Sequence, residues 1–161
     1  MDIFIFAMEK EKNAELCYRQ LADKTDVTGM KNICTMLADE EVKHYNLIAR
    51  LKENQPVEID VTSLLVDAKD IFAKMQQATE SFEFDRSQVQ LYKKARQIEA
   101  DSRDFYLEKA AGADSDELKK ILLTLAEEEK KHYHLLDNIV EFVARPDAWL
   151  ENAEFYHLED Y

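Results

Sequence analysis

Apolar positions recur at three- and four-residue spacing through most of this chain, the period of an amphipathic helix rather than a strand. Phe4, Ala7, Ala14, Tyr18 and Leu21 mark one seam, and Met30, Ile33, Leu37, Ile48 and Leu51 a second. They predict helix A from about Asp2 to Lys24 and helix B to about Asn54, with Asp26 as its N-cap and Gln55-Pro56 as its stop. The short turn between them makes an antiparallel hairpin. Tyr92, Ala95, Ser102 and Tyr106 mark helix C, from about Ser87 to Ala111, closed by Gly112. Leu118, Leu122, Leu125, Leu136, Ile139 and Val143 mark helix D, which runs to about Ala144 behind a capping box of Asp114 and Glu117. Residues 55–86 are far more than a turn needs and keep helical periodicity through Leu65, Ala68, Ile71, Phe72 and Met75. They predict a long crossover that starts helix C beside the far end of helix B. Pro146 fits the first turn of a short fifth helix, 146–157, whose face of Trp149, Ala153 and Tyr156 docks on the bundle or on a partner chain. The expectation is one all-α domain over 1–161, a four-helix bundle of two hairpins (2–54 and 87–144) joined by that crossover.

The hairpins are near copies. At an offset of 88 residues, Ala7–Leu47 matches Ala95–Leu135 without a gap, with 15 of 41 positions identical. The identities include Glu11/Glu99, Tyr18/Tyr106, Ala22/Ala110, Ile33/Ile121, Leu37/Leu125, Glu41/Glu129 and His44/His132. Matches at charged and aromatic positions of the same seam phase indicate a duplicated two-helix unit.

The polar members of those seams carry the chemistry. Glu41 and His44, three apart, share the apolar face of helix B, and Glu129 and His132 share that of helix D. Glu11 and Glu99 interrupt the seams of helices A and C, each 30 residues before the next seam glutamate. Carboxylates on a buried face must be neutralised or ligated, because an isolated buried charge costs more than a domain's whole stability. One glutamate from each of two helices and a Glu-x-x-His from each of the other two is the dinuclear carboxylate pattern. Four carboxylates balance two divalent cations, oxygen donors with imidazole suit iron or manganese, and carboxylates bridge ions roughly 3.5 to 4 Å apart. Six ligands for two ions leave open positions for dioxygen or peroxide.

At 161 residues with only two Gly and two Pro, the composition agrees with one helical domain. A net charge of −13 excludes nucleic acid and an anionic membrane surface as partners and favours cations. Cys17 and Cys34 match no zinc or iron–sulfur spacing and are expected to be buried and inert. The segment Met1–Met8 has no basic region, and its apolar run is too short for a signal sequence or a span, so the expected location is cytoplasmic. Glu40 and Glu128 either face solvent or accept the free N–H of the opposite hairpin's histidine. His134 and His157 are expected at the surface.

At the ligand residues the sequence resembles the ferritin-like superfamily and, within it, the rubrerythrin-like diiron proteins. The resemblance implies a ferritin-like bundle in which Glu41 and Glu129 bridge two irons, Glu11 and Glu99 are terminal ligands, and His44 and His132 each bind one iron. It places Tyr18 and Tyr106, seven residues after the terminal glutamates, beside the site as rubrerythrin-type tyrosines. There are two departures. Rubrerythrins carry a further glutamate one turn after the helix C ligand, where this chain has Ser102, and many carry a rubredoxin domain, whereas this chain has no CxxC. The six-ligand set is closer to that of bacterioferritin, although the crossover and aromatic tail differ from a cage-forming subunit. The resemblance implies an iron (or manganese) oxidoreductase acting on peroxide or dioxygen, with an external electron-donor protein such as a rubredoxin, and a homodimer. Iron oxidation and storage, a manganese catalase-like dismutase and a metal-free scaffold are the alternatives.

Overall fold

The computed structural model describes residues 2–60, 62–78 and 81–152. Its elements are α1 (Ile3–Lys24), α2 (Thr28–Lys52), α3 (Leu64–Gln77), α4 (Arg86–Ala111), α5 (Asp116–Ala144) and α6 (Pro146–Asn152). Helices A to D correspond to α1, α2, α4 and α5. The crossover's periodicity forms a helix of its own, α3, so the described residues hold six helices rather than five. Ala153, Tyr156 and His157 lie outside them.

Local chemistry sets the boundaries, and it differs from expectation at two starts. Asp2 caps α1, its carboxylate accepting from the N–H of Phe4 at 2.9 Å. Asp26 does not cap α2; Val27 holds that place without a side-chain bond, because the turn from α1 closes one residue later. Ser115, not Asp114, caps α5, its hydroxyl accepting from Leu118 N–H at 3.1 Å. The capping box belongs to α4: Asp85 accepts from Gln88 N–H while the Gln88 side chain reaches back to Asp85 N–H. Asn54, at φ 57°, ends α2 in the left-handed conformation and lets Gln55 N–H bond the Arg50 carbonyl at 2.9 Å.

The pairs α1/α2 and α4/α5 are antiparallel hairpins, and α1 packs directly on α4, whereas the backbones of α2 and α5 stand further apart. Two apolar clusters fill the bundle from its two ends. One gathers Leu21, Met30, Ile33, Leu37, Leu136 and Ile139 with α3 and α6; the other gathers Ala7, Ile48, Ala110, Leu122 and Leu125. At the first end Trp149 of α6 is fully buried, 4.9 Å from Phe72 and 5.5 Å from Phe142 between ring centroids, so Trp149, the described member of the expected aromatic face, docks on the bundle. Gly29 admits α3: a Cβ there would sit 2.7 Å from the Met75 sulfur. Cys17 and Cys34 are buried free thiols, and burial raises the pKa of both, Cys34 to about 12. His134, expected at the surface, is partly exposed. No helix among the described residues is long and apolar enough to cross a membrane.

Candidate metal centre

Between the two apolar clusters lies a polar layer formed by the seam-phase residues of four helices. Glu11 comes from α1, Glu41 and His44 from α2, Glu99 from α4, and Glu129 and His132 from α5. All are buried; His44, at 5%, is the most exposed and His132, at 0%, among the least. Three turns of helix carry each Glu-x-x-His clear of its hairpin turn, so both motifs meet at mid-bundle.

The six residues form two groups, each able to converge on one ion: Glu11, Glu41, His44 and Glu129, and Glu41, Glu99, Glu129 and His132. In each group one donor atom per residue lies within 4.8 Å of every other. Glu41 and Glu129 are common to both. Each imidazole turns its Nδ1 inward and across the bundle. His44 Nδ1 is 3.1 Å from Glu129 Oε1 and 3.4 Å from Glu11 Oε2, and His132 Nδ1 is 2.9 Å from Glu41 Oε1 and 3.4 Å from Glu99 Oε1. The rings lie nearly parallel, 10° apart, with centroids separated by 5.6 Å.

The tyrosines cross between hairpins in the same way. Tyr18 of α1 donates its hydroxyl to Glu99 of α4, and Tyr106 of α4 donates to Glu11 of α1. Burial, together with the neighbouring carboxylates, raises both phenol pKa values well above 10, so both remain donors. Ser102, 3% exposed, stands one turn beyond Glu99 and lines a surface cleft of about 420 Å³ between α1 and α4.

The electrostatics fit a cation pair. Burial and then the charges of Glu129, Glu99 and Glu11 push the Glu41 pKa far above the carboxylate range; burial, Glu11 and Glu99 push Glu129 to about 8. Burial would raise Glu99 too, but the His132 charge and the hydrogen bonds around it bring it down to about 2. Both histidines rise well above 6.5: burial opposes their charge, but the carboxylates, Glu129 foremost for His44 and Glu99 for His132, outweigh it. Without metal, protons must hold four carboxylates together. Glu11 Oε2 and Glu129 Oε2 are nevertheless buried with no hydrogen-bond partner among the described residues. Unmatched carboxylate oxygens aimed at a shared centre, with imidazole nitrogen beside them, make a buried donor set able to hold metal ions.

Sequence reasoning placed these residues on a buried face but could not give the crosswise pairing of tyrosines and glutamates, because helical phase names a face and not the partner opposite. Glu128 is 4% exposed, and Glu40 is partly buried beside it.

A search among curated proteins finds no match. A solved structure of a hypothetical protein from Pyrococcus furiosus shares the fold, with a TM-score of 0.61 at 22% identity over 89% of each chain. The family model described as Rubrerythrin matches residues 2–140. That span contains the first hairpin, the crossover, all but the last residues of the second hairpin and every residue of the buried Glu/His layer, and the chain therefore belongs to the rubrerythrin family.

Proposed function

We propose that this protein is a non-haem diiron oxidoreductase that reduces peroxide or dioxygen, with electrons from an external protein donor such as a rubredoxin. The observation that carries the reading is the pair of buried four-residue groups sharing Glu41 and Glu129. Those two glutamates would serve both ions; Glu11 with His44 and Glu99 with His132 would complete one ion each. A bound iron pair supplies the two electrons that reduction of peroxide to water consumes.

The chain's own residues set the conditions for that chemistry. The apolar clusters on either side keep bulk water from the layer, and in a low dielectric every charge interaction within it is strengthened. Tyr18 and Tyr106 hold Glu99 and Glu11 in position and keep a proton next to each. The cleft floored by Ser102, one turn beyond Glu99, would give a small neutral oxidant its approach to that side of the layer. Cys17 and Cys34 are both buried with raised pKa values, which supports a reading in which the electrons come from an external donor.

Metal analysis of protein purified from its native source, followed by anaerobic titration of the reduced form with hydrogen peroxide, tests this. Two irons per chain and oxidation by one equivalent of peroxide, stopping there until a donor protein is added, are expected. Protein free of iron would overturn the assignment, and sustained turnover on NADH alone would overturn the need for a donor.

A further inference from the structure

Glu40 and Glu128, each just before a central glutamate, are repeat equivalents that turn toward the gap between α2 and α5. A carboxylate oxygen of each lies within 4.8 Å of the other and of a ring nitrogen of His132. With Nδ1 of His132 turned inward to Glu41, the ring presents Nε2 to this pair. That nitrogen is fully buried and has no hydrogen-bond partner among the described residues. Glu40 and Glu128 in turn line an open cleft of about 260 Å³ that also reaches His44.

We propose that Glu40 and Glu128, packed over the buried ring of His132, form a transit site through which divalent cations pass from this cleft to the dinuclear centre; the inference rests on the dinuclear reading above. A hydrated dication cannot cross an apolar seam without losing its water shell at great cost, so it must exchange waters for protein oxygens stepwise. The cleft offers that sequence of donors. Glu58 and Asp60 stand on its wall, Glu40 and Glu128 at its inner end, and His132 beneath them. Charge is conserved along the way. Lys43 Nζ sits 2.9 Å from Glu40 and Lys131 Nζ 3.1 Å from Glu128, so two ammonium groups hold the place of one dication. The Lys43 side chain is 66% exposed and Lys131 25%, and both can swing outward as the ion arrives. The cleft between α1 and α4 offers no such sequence: Asp101 stands on its lining beside Lys10 and Lys94, and its floor is Cys17 and Ser102, whereas Glu40, Glu58, Asp60 and Glu128 outnumber Lys43 and Arg50 in the α2–α5 cleft.

Anaerobic loading of the metal-free full chain with cobalt(II), followed by visible absorption, tests the proposal. Two cobalt ions per chain are expected in both the unmodified protein and the Glu40→Gln/Glu128→Gln variant. The variant should load about tenfold more slowly or worse, as removing focused charge from a cleft does. A transit site speeds passage both ways, so release to a chelator should slow by the same factor and the affinity should not move. Lys43→Gln/Lys131→Gln should load faster than the unmodified protein, and this opposite sign decides the matter if the glutamine variant does not fold. Unchanged loading in either variant would overturn the transit site. So would weaker affinity at an unchanged loading rate, which would mean that Glu40 and Glu128 only orient His132. Failure of the unmodified protein to take two cobalt ions would overturn the dinuclear reading itself.

Discussion

The two hairpins carry the same glutamates and histidine at the same helical phase, yet they present unequal halves of one polar layer. His44 keeps 5% of its surface and borders the open cleft between α2 and α5; its equivalent His132 is fully enclosed, with Glu40 and Glu128 between it and that cleft. The difference does not come from the repeat. It comes from residues 57–60 and 62, at the start of the crossover, which form the cleft wall beside His44. Duplication fixed the donor set, and the unduplicated connection decides which donor meets solvent.

The largest expected effect removes what the halves share. Glu41→Ala with Glu129→Ala should abolish binding of both ions, since each carboxylate belongs to both groups; two ions retained on metal analysis would break the assignment. The same variant in its metal-free form should melt at a higher temperature, because two buried carboxylates that repel each other and their neighbours are gone.

Separating the halves comes next. His44→Ala and His132→Ala should each weaken one ion by at least about a hundredfold, more than the loss of a partner behind a ligand costs. Chelator competition should then show the survivors to be unequal. The ion left in His132→Ala, on the cleft side with His44, should exchange faster than the ion left in His44→Ala. Equal exchange would show that the crossover wall has no bearing on access.

Much of this was legible in the sequence, and the reasons are physical. Helical phase alone put Glu11, Glu41, His44, Glu99, Glu129 and His132 on buried faces, and a buried face crossed by carboxylates leaves few chemical solutions. Capping was read less well. Asp26 and Asp114 have the right residue type, but the turn geometry selects Val27 and Ser115. The box of Asp85 and Gln88 was present in the sequence as Asp-x-x-Gln and was missed because the apolar seam begins a turn later. The α2–α5 cleft depends on how far apart two helices stand, which no periodicity encodes.

Acidity gives a smaller effect that both halves share. In the metal-free protein Glu129 titrates near 8, against 4.5 for an ordinary glutamate, so the folded state keeps a proton that the unfolded chain sheds between those values. Its contribution is full below pH 4.5 and is lost as pH rises toward 8. Glu41 acts in the same direction. His44 and His132, raised above 6.5, contribute stability below 6.5 and lose it as pH rises through their folded values. Glu11 and Glu99, whose pKa values are lowered, act oppositely but only as pH falls below 4.5. From pH 6.5 to 8 the metal-free melting temperature should therefore fall by on the order of 5 °C, a few kcal/mol for a domain of this size. Glu129→Gln should flatten that fall. A melting temperature that rises across the window would show that the layer is not held together by protons.

The finest test bears on a repeat position one turn beyond the α1 and α4 glutamates where the halves differ, Ala14 in α1 and Ser102 in α4. Both are buried, and neither offers a carboxylate, so the two groups of four remain matched. The resemblance to rubrerythrins implies that a glutamate at 102 would give one ion an alternative to its histidine. A serine hydroxyl is a far poorer ligand for a trivalent ion than a carboxylate, so both ions in this protein should keep His44 and His132 in either oxidation state. Ser102→Glu supplies the missing group. Overpacking a helix seam ordinarily costs about 1–3 kcal/mol, but Ser102 borders the α1–α4 cleft of about 420 Å³, which can receive the longer side chain. The variant should fold with a melting temperature within a few degrees of the unmodified protein and should turn over peroxide faster relative to dioxygen. Crystal structures of both proteins, reduced and oxidised, would show whether the half around His132 has become mobile. An ion that leaves either histidine on oxidation of the unmodified protein would mean that the halves were never equivalent, and that Ser102 is not what keeps the site matched.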